Sequence, residues 1–376
     1  MKSCDASSKC NVRFLFPLLV AVCVCGSVGA ALPWSGRGIE TDPYLVDSAG
    51  DLKAIGDKRG YWDSHFKLTA DIDLKGYTAA NFKTIGYYQT RDDNRPFTGA
   101  FDGNGHTIRN FSYKSTGTNG IALFGYLGSS GRLRNLALQQ VDVDAGSGNR
   151  CAALVAVSKG TISACCVTGS VKGGDWTGGL VGINEGGTIS NCYAMCRVKG
   201  NFEVAGLVAG NGGGISNCYA AGTVAGQDTG GLVAVNDSGN ITACFWDKQK
   251  SALANMCSYS GGSGCNNANG KTTAEMYSTS TFFAAGWDFV GERTNGTADI
   301  WMITCEGQSY PKLSSWQPEV GDLRCPDGVD FLDFALFAEN WASMVCGNCG
   351  GADLTGDGNV MPDDLGKFTE NWLTGF

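Results

Sequence analysis

A loop near the C-terminus places side-chain oxygen atoms at the spacing that a hard cation needs. Asp353, Thr355 and Asp357 stand at positions 1, 3 and 5 of a twelve-residue segment, Gly358 stands at position 6, and Asp364 closes it at position 12. Calcium takes about six to eight oxygen ligands, and the glycine permits the sharp turn between them. The spacing predicts a calcium site, and an Asp- and Gly-rich turn without metal is the alternative. The candidate ligands, including one backbone carbonyl, are Asp353, Thr355, Asp357, Asn359 and Asp364.

A less complete loop precedes this one. If Asp333 closes it at position 12, carboxylates also stand at positions 1 and 9, but Arg324 and Pro326 occupy positions 3 and 5. A one-residue gap would bring Asp327 into the loop instead. Calcium binding here is an open question, because two ligand positions lack a side-chain oxygen. The candidate ligands of this loop are Asp322, Asp330 and Asp333.

Both loops belong to a duplicated segment, in which residues 333–341 match residues 364–372. Apolar side chains in each copy recur at i, i+3 and i+7, which is one face of a helix. The sequence therefore predicts two short amphipathic helices that pack against each other. Their apolar faces are formed by Phe334, Phe337 and Trp341 and by Leu365, Phe368 and Trp372.

Three other carboxylates, Asp175, Glu203 and Asp228, occupy comparable turns earlier in the chain. Polysaccharide cleavage needs carboxylates at a fixed separation on one exposed face, so these residues are the candidates for such chemistry. The alternative is a column of solvated turn residues, because the acids recur as the surrounding sequence recurs. His65 and His106 are the only histidines, which leaves little material for histidine-based catalysis or metal binding.

The composition narrows the classes of partner. The net charge is −8 and there are 56 glycines among 376 residues. An acidic chain without a Lys/Arg cluster is a poor candidate for nucleic acids or anionic membranes. The glycine content together with 43% hydrophobic residues favours a turn-rich all-β protein with a substantial core.

The first 31 residues have the order of a secretory signal peptide. Lys2, Lys9 and Arg13 precede an apolar run from Phe14 to Val24, and small residues follow. A transmembrane anchor is the alternative, although the run is shorter than the roughly 20 residues of a span. We therefore expect a secreted or cell-surface protein with no membrane span in the mature chain.

A repeat of about 26 residues dominates the middle of the chain. Each copy combines short strand-like runs with Gly, Asn, Asp and Ser turns, and none contains a helical pattern. One copy fits one coil of a parallel β-solenoid, in which each column becomes a stack of like side chains. The leucine column is Leu154, Leu180, Leu207 and Leu232. The isoleucine column is Ile162, Ile189, Ile215 and Ile241, extended backwards to Leu133 and Ile108. The cysteine column is Cys165, Cys192, Cys218 and Cys244.

The cysteine column and a column of asparagines are both expected to stabilise the solenoid. We expect the cysteines to pack in the interior, although disulfides between stacked neighbours are the alternative. Asn184, Asn211 and Asn236 are expected to form hydrogen bonds along a ladder. Residues 32–120 and 245–316 depart from the repeat, so we expect them to cap the open ends. The second of these caps is rich in tryptophan.

Two resemblances accompany these patterns. The Gly-Leu-Val-Gly-x-Asn segment at 179–184 resembles the GLUG motif of bacterial surface proteins, which implies a β-solenoid in a secreted or adhesive protein. The paired loop-helix units of the tail resemble a type I dockerin, which implies docking onto a cohesin-like extracellular partner. The damaged first loop and the Cys346-Gly-Asn-Cys349 linker depart from that family. Those two cysteines together with Cys325 suggest a zinc site as one alternative, and export from the cytoplasm favours a disulfide as the other.

The predicted fold is therefore a right-handed parallel β-solenoid followed by a small α-helical, calcium-binding, dockerin-like domain. The predicted domains are a signal peptide (1–31), a solenoid with caps (32–316) and the tail (317–376). We expect a non-catalytic protein whose solenoid contacts glycan or protein and whose Ca²⁺-binding tail docks onto a partner. A polysaccharide hydrolase or lyase that carries a dockerin is the alternative.

Overall fold

The computed structural model describes residues 32–88, 94–315, 329, 331–344, 352–355 and 357–370. The described chain is predominantly β and forms a parallel β-solenoid of the right-handed type, as the repeat predicts. The predicted signal peptide lies outside the described residues. So do Trp316 and Trp372, and the cysteines at 325, 346 and 349.

Most strands are short, as expected when glycine-rich turns interrupt each coil, but Arg132–Asp144, Thr161–Lys172 and Tyr193–Lys199 form strands of 13, 12 and 7 residues. The strands are β1 (Tyr44–Val46), β2 (His65–Leu68), β3 (Ile72–Asp73), β4 (Ala100–Asp102), β5 (Thr107–Arg109), β6 (Ser112–Lys114), β7 (Phe124–Leu127), β8 (Arg132–Asp144), β9 (Val155–Ser158), β10 (Thr161–Lys172), β11 (Thr177–Gly178), β12 (Val181–Asn184), β13 (Thr188–Ser190), β14 (Tyr193–Lys199), β15 (Val204–Ala205), β16 (Val208–Asn211), β17 (Gly214–Ser216), β18 (Tyr219–Ala220), β19 (Val224–Ala225), β20 (Val233–Asn236), β21 (Asn240–Thr242), β22 (Phe245–Asp247), β23 (Tyr259–Ser260), β24 (Gly270–Lys271), β25 (Trp301–Met302) and β26 (Lys312–Leu313). The helices are α1 (Ala49–Asp57), α2 (Lys248–Ser251), α3 (Thr273–Met276), α4 (Thr279–Phe283), α5 (Phe331–Glu339) and α6 (Pro362–Glu370), with 3₁₀ turns at Arg59–Tyr61 and Asn267–Asn269.

Two parallel ladders run along the solenoid. One has the order β1-β2-β4-β8-β10-β14-β18-β22-β24, and the other has the order β23-β20-β16-β12-β9-β7. In the described chain, six coils, from the one with β7 and β8 to the one with β23 and β24, contribute a strand to each ladder, whereas β1, β2 and β4 extend only the first. Equivalent residues of successive repeats thereby become hydrogen-bonded neighbours. This stacking explains the period that the sequence shows.

The isoleucine column is confirmed over its later members. Ile162, Ile189, Ile215 and Ile241 stand in register, with Leu133 on the preceding coil. Its extension to Ile108 is wrong. Ile108 pairs with Leu138, and Phe101 takes the position opposite Leu133. The physical reason is that the first coils carry their own turn, so the constant spacing of the later repeats does not extend to them.

The cysteine column is buried, as predicted, and its four thiols are unoxidised. Each thiol donates a hydrogen bond to the carbonyl oxygen two residues earlier, at 3.0–3.2 Å. The intervening residue adopts a left-handed conformation with φ between 48° and 52°. The cysteines therefore brace a sharp corner of every coil. The left-handed residues are Ala164, Asn191, Asn217 and Ala243.

The asparagine ladder is also confirmed. The side-chain amide of Asn184 donates to Oδ1 of Asn211 at 2.9 Å, and that of Asn211 donates to Oδ1 of Asn236 at 2.8 Å. All three side chains are buried at the ends of their strands. The ladder therefore pairs the side-chain NH₂ groups of Asn184 and Asn211 with the carbonyl oxygens of Asn211 and Asn236 inside the solenoid, where an unpaired amide would be costly. At the end of the ladder, Oδ1 of Asn184 has no hydrogen-bond partner within the described residues.

A helix packs at the N-terminal end of the solenoid. Helix α1 begins after Ser48, whose hydroxyl accepts a hydrogen bond from the Asp51 amide, and it buries Leu52 and Ile55. At the other end, α2, β23 and β24 follow the last full coil, and a disulfide joins Cys257 to Cys265. Cys305 is also disulfide-bonded.

Two tryptophans of the C-terminal segment pack on the flank of the solenoid. Trp287 and Trp301, whose rings are 4.3 Å apart, pack with Tyr193 and Tyr219 in one buried cluster that also reaches Ala137. Ala137, Cys166, Tyr193 and Tyr219 are register partners on four successive coils, and all four belong to this cluster. This part of the segment therefore runs back along the flank of the solenoid. The reason is that the tyrosines present an apolar column, with their own rings stacked 4.9 Å apart, that the tryptophans can bury.

The tail contains the two expected helices, α5 and α6. They share an apolar cluster in which the Phe337 and Phe368 rings are 5.1 Å apart. Phe334 and Trp341 are 42% and 44% exposed, so only part of the predicted apolar face of α5 is buried.

Candidate functional site

The calcium loop brings together three of its five predicted ligands. Carboxylate oxygens of Asp353, Asp357 and Asp364 all lie within 4.8 Å of one another. Gly358 has φ of +85°, which only glycine adopts without strain, so the sharp turn is present at position 6. Three convergent carboxylates are the hard oxygen donors that Ca²⁺ prefers, and the residues therefore fit this ion.

The loop is held by hydrogen bonds to its own carboxylates. Asp353 accepts bonds from the backbone amides of Asp357 and Gly358 at 3.1 and 2.7 Å, and Asp357 accepts one from Asn359 at 2.9 Å. The Thr355 hydroxyl donates to Asp364 at 3.0 Å, so positions 3 and 12 are neighbours. The predicted ligands thus form two hydrogen-bonded groups, one of Asp353, Asp357 and Asn359 and one of Thr355 and Asp364, whose carboxylates converge.

Asp364 is buried at the start of α6 and accepts several hydrogen bonds. Its carboxylate oxygens receive the amides of Leu354, Thr355 and Met361 at 2.8–2.9 Å. Burial alone would raise its pKa, but these bonds favour the charged form and lower the pKa on balance. The carboxyl group is therefore ionised, as a metal ligand must be.

The first loop is described only in part. Asp322 and Asp330 lie outside the described residues, and Asp333 is fully buried in α5. Calcium binding at this loop stays a prediction.

The candidate acids Asp175, Glu203 and Asp228 lie close together, but Asp175 does not occupy the position equivalent to the other two. Glu203 and Asp228 share a corner with Arg150 and Trp176, and all four residues have φ between 50° and 60°. Thr177 pairs with Val204, so Trp176 is the residue that stands beside Glu203, and Asp175 lies one position earlier. Burial, followed by the charges of Asp175 and Asp228, raises the pKa of Glu203.

Beside this corner is a shallow groove of about 470 Å³. The Trp176 ring lies on Gly210, because a Cβ at that position would be 2.8 Å from Cζ3 of the indole. Ile183 and Val235 are the register partners of Gly210 on the adjacent coils, so the glycine leaves a notch between two larger side chains. The notch seats the indole.

The rest of the groove is polar. Glu185, Asp237 and Ser238 are exposed along its edge, and Asn184 and Asn211 of the ladder lie at its base. An aromatic ring can stack on the apolar face of a sugar ring. The carboxylate, hydroxyl and amide groups beside it can form hydrogen bonds with the hydroxyl groups of the same sugar. Sequence reasoning missed this groove. The available signal was Gly210, which replaces a branched residue in an otherwise regular column.

Comparison with known proteins locates one recognised motif in this region. The model of the GLUG motif matches residues 177–194, which extend from β11 into β14 and include one wall of the groove. The match spans a single coil and supports the resemblance that the repeats carry.

Two relatives share part of the chain. Halomucin of Haloquadratum walsbyi is 35% identical over 156 residues, which are 40% of this chain and 2% of halomucin. A protein of Evansella cellulosilytica named as a Gly-rich membrane protein is 35% identical over 130 residues, which are 33% of this chain and 14% of that protein. The chain thus spans a small fraction of both relatives.

One solved structure is similar in outline. A protein of Bacteroides ovatus named as an immunoglobulin A1 protease matches 74% of this chain and 94% of its own, with 18% identity and a TM-score of 0.48. In the part of the chain that the structure describes, no helix combines the length and the apolar character needed to cross a membrane.

Proposed function

We propose that this chain is a surface-associated, non-catalytic protein whose solenoid binds a glycan in the Trp176 groove. The names of the relatives support the location, since one of them is named as a membrane protein. The GLUG match adds support, because the motif resembles that of bacterial surface proteins. The observation that carries the binding role is the indole of Trp176 seated on Gly210 at the edge of a polar groove.

The backbone at Trp176 explains why the indole faces the groove. Trp176 adopts φ of 60°, and Arg150, Glu203 and Asp228 adopt the same left-handed conformation at the equivalent corner of their coils. The corner of the repeat therefore sets the backbone at this position, and the indole is the aromatic side chain that this corner directs over Gly210.

The edge of the groove narrows the class of glycan. Glu185 and Asp237 are acidic, and Lys159 is bound to Glu185 at 3.5 Å. Such an edge accepts hydrogen bonds from sugar hydroxyls and repels sugars that carry carboxylates. The groove is therefore expected to bind neutral glycans.

Calorimetry with cello- and xylo-oligosaccharides tests this proposal. Trp176→Ala is expected to weaken binding by about 2 kcal/mol, roughly thirtyfold, the loss typical of a central aromatic contact. Phe283→Ala removes an exposed aromatic side chain of α4 that does not line the groove, and it is the control. Equal affinities of Trp176→Ala and the unchanged protein would overturn the proposal.

A glycan-cleaving enzyme is the second candidate, and one observation favours it. Glu203 combines a raised pKa with two neighbouring carboxylates, which is the electrostatic setting of a general acid. Release of reducing ends, or of unsaturated products, from pectin and xylan separates the candidates. Turnover that Glu203→Gln abolishes, with groove binding intact, would favour the enzyme.

For the tail we propose calcium binding and docking onto an extracellular, cohesin-like partner. The three convergent carboxylates support the first part. The second is supported by the exposed apolar residues of α5, where Phe331 and Leu332 are 70% and 51% exposed. Calcium, when bound, would neutralise the clustered carboxylates and fix the start of α6.

A pull-down with the protein immobilised, in calcium and in chelator, tests the docking proposal. Envelope extract and culture medium are the two sources of partner. A partner retained only with calcium, and lost in Phe331→Ser, is the expected result. Calcium binding without any calcium-dependent partner would leave the tail as a self-contained fold and contradict the docking role.

A further inference from the structure

A second cleft lies in the N-terminal cap and has the opposite charge character. It has a volume of about 450 Å³ and is lined by Arg59, Trp62, Asp63, Tyr87 and Arg95, among others. This volume falls within the roughly 300–1,000 Å³ typical of ligand sites. Two cationic side chains and one anionic side chain line it, in a chain whose net charge is −8. The cleft is thus a cationic patch on an acidic protein.

The cationic groups are fixed by aromatic rings. The guanidinium carbon of Arg59 lies 4.8 Å from the centre of the Tyr87 ring and 5.9 Å from that of Trp62. Nη1 of Arg59 also donates to the Tyr87 hydroxyl at 3.4 Å. Stacking fixes the orientation of the guanidinium, so less entropy is lost when its other N–H groups bind a ligand.

Backbone pairing places the second arginine, Arg95, in the cleft beside Tyr87. Tyr87 and Arg95 exchange two backbone hydrogen bonds, at 2.9 and 3.1 Å, in an antiparallel bridge. Residues paired in this way present their side chains on the same face. The Trp62 indole is anchored from below, since its Nε1 donates to the Ile55 carbonyl at 2.7 Å.

Neither arginine is neutralised by an ion pair within the described part of the chain. Lys83, which lies beside the same rings, is paired with Asp57 at 3.0 Å. The guanidinium groups of Arg59 and Arg95 therefore have N–H donors that a ligand can use, whereas the ammonium group of Lys83 is already paired with a carboxylate. Asp63 is the one acidic side chain in the lining and partly offsets their charge.

We infer that this cleft binds an acidic glycan through the carboxylate of a uronic acid residue. The planar guanidinium fork matches a carboxylate in a bidentate geometry, and the partly exposed Tyr87 ring suits the apolar face of a sugar ring. Trp62 is 5% exposed, so it supports Arg59 and Tyr87 from beneath and does not contact the ligand. A uronate offers both features on one ring. The protein then has two glycan sites of opposite preference, an acidic-edged groove for neutral sugars and a cationic cleft for uronates.

Calorimetry with tri- or tetragalacturonate tests the inference, with chelator present so that calcium does not cross-link the ligand. Arg59→Gln and Arg95→Gln are each expected to weaken binding at least about tenfold, the effect of losing a charged hydrogen bond. Asp63→Asn should strengthen binding by about threefold, because it removes the opposing charge. Arg197→Gln, an exposed arginine on β14, is the matched control and should have no effect.

Competition experiments distinguish a uronate site from a surface that binds any sugar or any anion. A neutral oligosaccharide of equal length should not compete with the uronate, and Trp176→Ala should leave uronate binding unchanged. Inorganic phosphate that displaces the uronate at equal affinity would reduce the cleft to an unspecific anion patch and overturn the inference. Unchanged uronate binding in Arg59→Gln and Arg95→Gln, with thermal unfolding as in the unchanged protein, would overturn it as well.

Discussion

The indole of Trp176 occupies the space above Gly210, where the neighbouring coils carry Ile183 and Val235. A methyl group at residue 210 would lie 2.8 and 2.9 Å from two carbons of the indole. The position of the aromatic ring in the groove therefore depends on the absence of a single side chain. This contact makes the groove testable without altering any group that would touch a ligand.

Gly210→Val is accordingly expected to displace Trp176 and to abolish binding of neutral oligosaccharides. Overpacking of this kind costs about 1–3 kcal/mol in the free energy of unfolding. Gly214→Ala on β17 is the control, since nothing lies within 4 Å of its added Cβ. Calorimetry measures oligosaccharide binding, and urea unfolding measures the free energy of unfolding. Unchanged binding by Gly210→Val would contradict the packing of the Trp176 indole on Gly210.

Asn211→Leu is expected to destabilise the solenoid by about 2–3 kcal/mol. The substitution leaves the buried Asn184 amide and Asn236 carbonyl without their ladder partner, and a buried unsatisfied group costs about 1–3 kcal/mol. Urea unfolding measures the change. Asn201→Ala, at an exposed position, should be nearly neutral, and an equally small effect at Asn211 would mean that the ladder adds no stability.

The pKa of Glu203 predicts a specific pH dependence of stability. Because burial and the charges of Asp175 and Asp228 raise this pKa in the folded state, the ionised carboxylate destabilises the fold above that pKa. Glu203→Gln should therefore raise Tm at neutral pH. The gain should disappear as the pH falls through the folded-state pKa, where the natural residue is protonated. A gain that is independent of pH would show that charge is not the cause.

The cysteine column should be inert in the native protein. Burial raises the pKa of Cys165, Cys192 and Cys218 well above the ordinary value, and the thiolate is the reactive form. Alkylation at pH 8 should leave these three residues unmodified until the protein is unfolded, and then modify them without a reductant. Peptide mapping measures this outcome, and a Cys192–Cys218 disulfide in the purified protein would contradict it.

Calcium should stabilise the tail and chelation should reverse the effect. At a hundredfold excess over Kd, a ligand that binds only the folded state adds about 2.7 kcal/mol. Asp357→Ala should remove this gain, whereas Asp363→Ala, which alters an exposed carboxylate outside the cluster, should retain it. The near-UV signal of the tail aromatic residues, followed during calcium titration, reports the change. Identical titrations of the two variants would show that the carboxylate cluster is not the calcium site.

Much of the fold could be read from the sequence because a solenoid repeats local rules. Leu180, Ile189, Cys192 and Asn184 each recur at the same interval, and stacking turns every interval into a column. The convergence of Asp353, Asp357 and Asp364 was likewise accessible, since these carboxylates lie within one short segment. Ile108 was misplaced because a constant interval was assumed where the first coils have their own turns.

The Trp176 groove and the N-terminal cleft could not be predicted from the spacing of the repeats, because they depend on contacts between residues that the repeat does not relate. Arg59 and Tyr87 are 28 residues apart outside the repeat, and only the folded cap places the guanidinium on the ring. Trp176 meets Gly210 because the backbone turns left-handed at the indole and the next coil carries no side chain at that point. The sequence by itself determined the repeating backbone and the calcium-loop spacing, because both follow from local periodicity. The tertiary structure decided which side chains face one another across coils, because that depends on register, corner conformation and the space that neighbours leave.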